Sequence, residues 1–260
     1  MKGKNTNLIK ELAITDFKLR YQGSVLGYLW SLMKPIMLFL VMYFVFTRIF
    51  RVGNDVPHYP VYLLLGIVMW EFFTEVTSGS MTAIVGQGDL IRKVYFPRIV
   101  LVISRSMTAL LTFGLNFIAI LAFMLYNGVR LNWGILIFPV LVLELTVLIM
   151  GISFFLSSLF VRFRDIGHIW DVVIRALFYA TPILYPLSIV PQNLAKMQML
   201  NPVAQILQDA RYLLITKEAI RAVDILPGYI LWVPYVLPLI VFAVGYFIFE
   251  KSAAKFAEEV

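Results

Sequence analysis

Long apolar segments separated by short polar ones dominate this chain of 260 residues. A helix that crosses the hydrocarbon core of a bilayer needs about 20 mostly apolar residues. We therefore predict six spans, at residues 35–50 (after an apolar lead-in, 26–33), 61–83, 99–126, 133–160, 166–185 and 229–249. The fifth is the least apolar, because Asp171 and Arg175 lie inside it. The pattern predicts an all-α integral membrane protein and excludes an ordinary soluble enzyme.

The composition narrows the chemistry that the chain itself can perform. Cysteine is absent, which excludes disulfides and thiolate chemistry, and the two histidines, His58 and His168, lie far apart in sequence. We therefore predict no metal site and no bound cofactor. The sequence also lacks the GxxxxGK[ST] pattern that cradles nucleotide phosphates. If ATP powers this protein, a separate ATPase chain must bind the ATP and its Mg²⁺.

The positive charges indicate how the spans are oriented. Six spans place both termini on one side, and that side carries 15 of the 22 lysines and arginines. The positive-inside rule therefore predicts cytoplasmic termini in a plasma membrane. The net charge of +7 is explained by this topology, so no nucleic-acid partner is expected. We predict one domain over residues 1–260, with an interface helix at 1–25, a six-span core at 26–250 and a cytoplasmic tail at 251–260.

The segment 6–21 is predicted to form a helix lying on the cytoplasmic face of the membrane. At 100° per residue the apolar side chains share one stripe and the charged ones lie opposite, with Asp16 at the edge. The stripe consists of Leu8, Leu12 and Leu19, and the opposite face of Lys10, Glu11 and Lys18. The helix would feed directly into the first span, either as a moving part or as a simple topology anchor.

The cytoplasmic loop 86–98 is predicted to contain a short helix. Two glycines end the preceding span, Asp89 can cap the new helix, and Arg92 and Lys93 fall in its last turn. Such a helix, parallel to the membrane, could be pushed by a cytosolic partner. The alternative is a solvated basic loop.

The external loop 185–228 is unusually long for a compact protein. Its apolar stretches, 200–207 and 212–215, predict short re-entrant helices packed on the spans, which are tolerated only where protein or a cavity covers them. The alternative is a small folded external cap.

Three intramembrane carboxylates are possible proton carriers. Glu71 and Glu75 are spaced i, i+4 on the second span, and Glu144 lies in the fourth. A proton relay is one interpretation; the other is that they face the protein interior or a wet pore. Asp171 and Arg175, also spaced i, i+4, could form an ion pair within the fifth span.

Aromatic side chains near mid-membrane suggest what a pore would carry. Tyr43, Phe46 and Tyr179 are candidates to line a channel, because aromatic faces stack on the apolar faces of sugars. The alternative for each ring is lipid contact or core packing.

Four segments together resemble the ABC-2 type polysaccharide export permeases. They are the run from Asp16 to Pro35 (DFKLRYQGSVLGYLWSLMKP), the segment 93–98 (KVYFPR), the segment 162–165 (RFRD), and Thr181-Pro-Ile-Leu-Tyr-Pro186 followed by Asn201-Pro202 and Arg211. They occur in the family's order, and the resemblance extends over essentially the whole chain.

The resemblance implies a homodimer with a channel at its interface, the N-terminal helix acting as a gate, and two copies of an ABC ATPase below. ATPase coupling is assigned to Asp89, Leu90, Arg92, Lys93 and Tyr95. The external gate is assigned to Pro182, Pro186, Asn201, Pro202 and Arg211. The expected cargo is an undecaprenyl-linked cell-surface polysaccharide, with O-antigen favoured over teichoic acid or capsule.

Other functions stay open at this point. An ABC-2 permease for a small drug or lipid belongs to the same class. A proton-driven transporter would use Glu71, Glu75 and Glu144. A membrane-embedded glycolipid enzyme would need a polar constellation, and the sequence offers only His58 alone and His168 beside Asp165 and Asp171.

Overall fold

Helices form the regular structure in this computed structural model, which describes residues 2–21, 27, 29–53, 56–93, 96–253 and 256. No strand occurs within those ranges. The α-helices are α1 (Lys2–Tyr21), α2 (Leu29–Phe44), α3 (Tyr59–Gly86), α4 (Gly88–Lys93), α5 (Ile99–Tyr126), α6 (Phe138–Arg162), α7 (Ile166–Ala180), α8 (Gln192–Met199), α9 (Pro202–Leu214), α10 (Ala222–Ile225) and α11 (Trp232–Ala253). The predicted all-α class is confirmed.

Five helical stretches in the described part of the chain are long and apolar enough to cross a membrane. They are Leu29–Ile49, Tyr59–Gly86, Ile99–Tyr126, Trp133–Arg162 and Gly228–Ala253. These stretches coincide with the first four and the last of the predicted spans. The first extends beyond α2 through a π-helical turn, and the last two begin with 3-10 turns ahead of α6 and α11.

The fifth predicted span, 166–185, is helical only as far as Ala180. α7 has 15 residues, a length of about 22 Å, which is shorter than the hydrocarbon core of about 30 Å. The helix ends because Pro182 disfavours the helical conformation at Thr181, whose ψ of 138° is extended. The count of six spans is therefore not confirmed and stays a prediction.

α3 is the central helix of the bundle. It packs against α2, α5, α6, α7 and α9, and every residue from 61 to 70 is buried. A stretch surrounded in this way is apolar on all its faces, as residues 61–70 are. Its side chains join those of α5, α6 and α9 in one large hydrophobic core.

α6 and α11 approach each other more closely than ordinary side chains would allow. A Cβ on Gly151 would lie 2.5 Å from the backbone nitrogen of Phe242, and one on Gly245 would overlap the carbonyl of Gly151. Small residues permit such close helix contacts within membranes. These two glycines therefore allow the last helix to pack closely against α6.

The two ends of the bundle have separate hydrophobic clusters. At one end, which we call the α1 end, α1 and α4 pack with the adjoining ends of α3, α5, α6 and α11. At the other, the α9 end, residues of α8, α9 and α10 pack together. α9 also packs against α3, α6 and α11. This packing favours the predicted re-entrant arrangement over a separate external cap.

Candidate functional site

α4, at the α1 end, contains the residues predicted to couple to an ATPase. Its exposed side chains include Asp89 in the first turn and Arg92 and Lys93 in the last. Ile91, on the same helix, is buried in the α1-end cluster, as is Phe96 just beyond it. The short helix thus presents charges outward and is anchored to the bundle by apolar side chains. Tyr95 and the side chain of Leu90 lie outside the described residues.

α1 is a helix, as predicted, and it is attached to α5 by specific contacts. Asp16 forms an ion pair with Arg105, and Thr108 Oγ1 donates a hydrogen bond to the carbonyl of Ala13 at 3.2 Å. Leu8 and Leu12 pack on the α1-end cluster, while the side chain of Leu19 lies outside the described part. The position of Asp16 at the edge of the apolar stripe is explained by its partner on α5.

The aromatic residues predicted to line a channel lie in two places. Tyr43 stacks on Phe39 with ring centroids 5.6 Å apart, and Phe46 packs beside Phe50 at 5.5 Å. Tyr179 lies on α7 and is 65% exposed. Among the described rings, none connects Tyr179 with Tyr43 or Phe46. The three rings therefore do not form one aromatic cluster within the described part of the chain, and their role in lining a channel stays a prediction.

Arg211, predicted to belong to the external gate, is fully buried on α9. Its guanidinium lies 3.4 Å from the centre of the Tyr62 ring. It donates to the carbonyls of Pro182 (2.5 Å), Ile183 (2.7 Å) and Tyr62 (3.2 Å), and to Gln208 Oε1 (3.1 Å). Burial lowers its pKa to about 10, so the side chain remains charged at neutral pH. One cation thus joins α9, α3 and the segment after α7.

The other residues predicted for the gate surround the same segment. Asn201 caps α9 by accepting from the backbone nitrogen of Val203 at 3.0 Å and donates to Thr181 Oγ1 at 3.1 Å. Pro202 occupies the first turn of α9, where a missing N–H costs nothing. Pro186 lies further along and lines a cavity of about 310 Å³ together with Tyr62 and Gln208. The structure therefore brings all five predicted residues into one region, which we call the Arg211 region.

Residues of α3 that the sequence analysis did not select complete this region. Tyr59 donates to the carbonyl of Leu184 at 2.7 Å, and Tyr62 donates to Gln208 Oε1 at 3.2 Å. Gly66 leaves room for the guanidinium, since a Cβ there would lie 2.8 Å from Arg211 Nη2. The available signal was the pair of tyrosines within the stretch 59–70, which carries no charge, because tyrosines need polar partners when they are buried.

The intramembrane carboxylates do not share one path. Glu71 and Glu75 line a cavity between α2, α3 and α5, whereas Glu144 on α6 lies near Asp209 and Gln205 of α9. Gln205 and Tyr235 both donate to Asp209 Oδ2, at 2.8 and 3.0 Å. Burial raises the pKa of Asp209 above its ordinary 3.8.

The suggested pair within α7 does not form. Asp171 and Arg175 are both exposed, and no ion pair between described side chains joins them. Helical spacing brings such residues to one face but does not determine which partner each side chain takes.

Residues 7–215 match the family model described as ABC-2 type transporter. The chain belongs to the ABC-2 type transporter family. The matched region begins within α1 and extends through α9, so it includes α4 and the Arg211 region of this ABC-2 protein.

Several ABC-2 relatives are similar over most of their length. An O-antigen export system permease protein RfbA from Klebsiella pneumoniae is 30% identical over 256 residues, which covers 97% of this chain and 94% of that protein. A protein of the same name from Myxococcus xanthus is 33% identical over 202 residues, covering 77% of each chain. A polysialic acid transport protein KpsM from Escherichia coli is 22% identical over 232 residues, covering 85% of this chain and 82% of that protein.

Proposed function

We propose that this ABC-2 chain is the permease subunit of an ATP-driven exporter that moves a lipid-linked O-antigen across the plasma membrane. The observation that carries the proposal is the similarity to proteins named O-antigen export permease over 97% of the chain. The exposed charged helix α4 lies at the α1 end, and the helices α8 to α10 pack at the α9 end. This arrangement is consistent with a subunit that transmits movement from one side of the bilayer to the other. In this proposal the glycan is linked to an undecaprenyl carrier lipid, as the family resemblance implies.

ATP hydrolysis takes place on a separate ABC ATPase, present in two copies, which also holds the Mg²⁺. This assignment is supported by the absence of a phosphate-binding loop from the sequence. α4 is the surface that the ATPase contacts, through Asp89, Arg92 and Lys93. Because Ile91 and Phe96 are buried against α3 and α5, movement of α4 would be transmitted into the bundle.

The permease works as a homodimer with both termini in the cytoplasm. α2 leaves an apolar face uncovered, with Leu40, Val41 and Phe44 all more than half exposed. In the dimer, this face and the exposed ring of Tyr179 on α7 face the second copy or the channel between the copies. α1 gates the cytoplasmic entrance, and the Arg211 region closes the external exit.

A capsular polysaccharide is the second candidate cargo, since KpsM proteins are also similar to this chain, at 22% identity. Teichoic acid is a third. All three cargoes are lipid-linked glycans. The cargo is therefore identified by determining which of these glycans the source bacterium carries on its surface.

The test is deletion of the gene in the source bacterium, followed by gel analysis of lipopolysaccharide and capsule. We expect loss of the O-antigen ladder, accumulation of lipid-linked glycan inside the cell, and restoration by the wild-type chain. Loss of capsule with an intact ladder would replace the cargo by the second candidate. Unchanged surface glycans of every kind would overturn the proposal.

Affinity purification of the tagged chain from the same membranes tests the partner separately. We expect an ABC ATPase at about equal stoichiometry. A dimer that purifies in mild detergent without any ATPase would contradict that assignment.

A further inference from the structure

A cavity of about 620 Å³ lies within the single chain, between α2, α3 and α5, and its lining combines a largely apolar surface with several charged and polar side chains. Its volume falls within the range of about 300–1,000 Å³ typical of small-molecule sites. We call it the α2–α3–α5 cavity. Its lining includes Trp30 and Lys34 from α2, Glu71 and Glu75 from α3, and Thr112 and Asn116 from α5.

An ion pair in this cavity lies about halfway along α3. Lys34 forms an ion pair with Glu71, and Glu71 lies about 18 Å along α3 from its first residue. The Lys34 side chain is 76% exposed in the single chain and that of Glu71 is 23% exposed. Charged groups at such depth are costly in hydrocarbon. The charged pair therefore favours water or the polar groups of a ligand at this point, while the apolar part of the lining can cover an apolar face of the same ligand.

The hydrogen-bonding groups of the cavity are mixed in kind. Asn116 Nδ2 donates to the carbonyl of Thr112 at 3.1 Å, which leaves the amide oxygen and a second N–H for a ligand. The Thr112 hydroxyl donates to the carbonyl of Thr108 at 3.2 Å, so its oxygen can still accept. Sugar hydroxyls both donate and accept and so match this set. A phosphate group can only accept hydrogen bonds, and the negatively charged Glu71 carboxylate would repel it.

Trp30 adds a large ring that is 46% exposed. The C–H bonds on one face of a sugar ring are weakly positive and are attracted to the negative face of an aromatic system. An indole, a carboxylate and an amide line this one cavity, so both an apolar face and the hydroxyl groups of a sugar can find partners there.

We propose that the α2–α3–α5 cavity is a carbohydrate-binding site that holds sugar residues of the exported glycan within each individual subunit. Trp30 stacks on a ring, Glu71 and Asn116 bind hydroxyl groups, and Lys34 both donates to the sugar and neutralises Glu71. The inference rests on the proposed function and adds a fixed holding site beside the shared channel.

The experiment is photo-crosslinking in the source bacterium. A benzoylphenylalanine replaces Met37, which lines the cavity and is 52% exposed, and in a matched strain it replaces Ile118 of α5, which is 64% exposed and does not line the cavity. After irradiation, the purified chain is analysed for covalently attached glycan by glycan staining and mass spectrometry. Surface glycan is measured in the same cells.

We expect a glycan adduct at position 37 that is at least about tenfold stronger than at position 118. Glu71→Gln and Trp30→Ala, each in the position-37 strain, should lower it by about tenfold, which corresponds to about 1.4 kcal/mol. Trp30 is half-exposed, so its replacement leaves the core intact and keeps the test valid if Glu71→Gln does not fold.

Three results would overturn the site while leaving the proposed function standing, provided surface glycan is normal. They are no adduct at position 37, an adduct that carries only phospholipid, and equal glycan adducts at positions 37 and 118. Surface glycan that persists after deletion of the gene would instead overturn the proposed function.

Discussion

Arg211 shows how a single buried cation is stabilised in this largely apolar chain. Its donors are taken up by main-chain carbonyls of α3 and of the segment after α7, and by one side-chain amide. Carbonyl groups near a helix end or a turn need donors of their own, so the arginine and the turn satisfy each other. A counter-ion is therefore unnecessary at this position.

Replacing Arg211 should destabilise the protein strongly. Arg211→Met leaves the carbonyls of Pro182 and Ile183 buried without donors, and we expect a loss of about 3–5 kcal/mol in the free energy of unfolding. Arg211→Lys should not rescue it, because an ammonium cannot reproduce the planar fork of donors. Unfolding by SDS titration in mixed micelles measures both. The exposed Arg130→Met should change stability by no more than about 0.5 kcal/mol, and equal losses in all three variants would refute the anchoring role.

Asp209 should make stability depend on pH. Burial raises its pKa above 3.8, so the folded chain holds this proton more tightly than the unfolded chain, and stability falls as pH rises through the interval between the two pKa values. Asp209→Asn should remove that part of the slope. Unfolding temperatures across pH 4–8 compare the two proteins. The neighbouring titratable groups, which stay unchanged in both, are Glu144, Tyr235, Arg221 and Asp224; identical slopes would contradict the assignment.

At the scale of elements, glycine contacts determine how closely helices approach. Gly151 and Gly245 bring the backbones of α6 and α11 together, whereas Gly114 on α5 has open space where a Cβ would be. The sequence contains all three glycines in apolar helices, and their local patterns do not distinguish them. Only the neighbouring helix decides which of them tolerates a side chain.

Gly151→Ala should therefore lower stability by about 1–3 kcal/mol, because its Cβ would press against the backbone of Phe242, which cannot move aside like a flexible side chain. The matched variant Gly114→Ala should be neutral or stabilising by up to about 1 kcal/mol, since alanine favours helix more than glycine does. Thermal unfolding in detergent measures both. Similar losses at the two positions would show that the helix contact has little energetic weight.

α4 is the element whose exposed charges we assign to the ATPase. The double variant Arg92→Glu and Lys93→Glu should reduce co-purification of the ATPase, or its stimulated hydrolysis, by about tenfold or more, because reversed charges repel what the native charges attract. The chain itself should remain folded, since the buried Ile91 is untouched. Lys217→Glu at the opposite end is the control. Normal ATPase binding and normal export in the double variant would remove α4 from the coupling mechanism.

At the scale of the whole molecule, the energy source separates the proposed exporter from a proton-driven transporter. Glu71 and Glu75 lie between α2, α3 and α5, and Glu144 lies beside α9, so the three carboxylates do not form one relay. Export should stop when ATP is depleted and continue when the proton gradient alone is collapsed with ATP maintained. Pulse-labelled surface glycan measures both conditions. Export that follows the proton gradient would favour the alternative.

Most of the architecture could be predicted because the spans are local features. A run of apolar residues of sufficient length becomes a helix in a bilayer whatever its neighbours are, since each backbone hydrogen bond is made within the run. The fifth span was predicted too long because Pro182 was included among its apolar residues, although proline ends a helix ahead of itself. The resemblance to ABC-2 permeases, carried by four segments, is confirmed by the match over residues 7–215.

The sequence by itself therefore determined the membrane location, the helical class, the family and the short helix α4, since each depends on local composition or on a motif. Only the tertiary structure decided the partners of the polar residues. It placed Arg211 against the carbonyls of Pro182 and Ile183, Asp16 against Arg105, and Lys34 against Glu71. The members of each pair lie far apart in sequence, and a charge in an apolar bundle takes whichever partner the packing brings within reach.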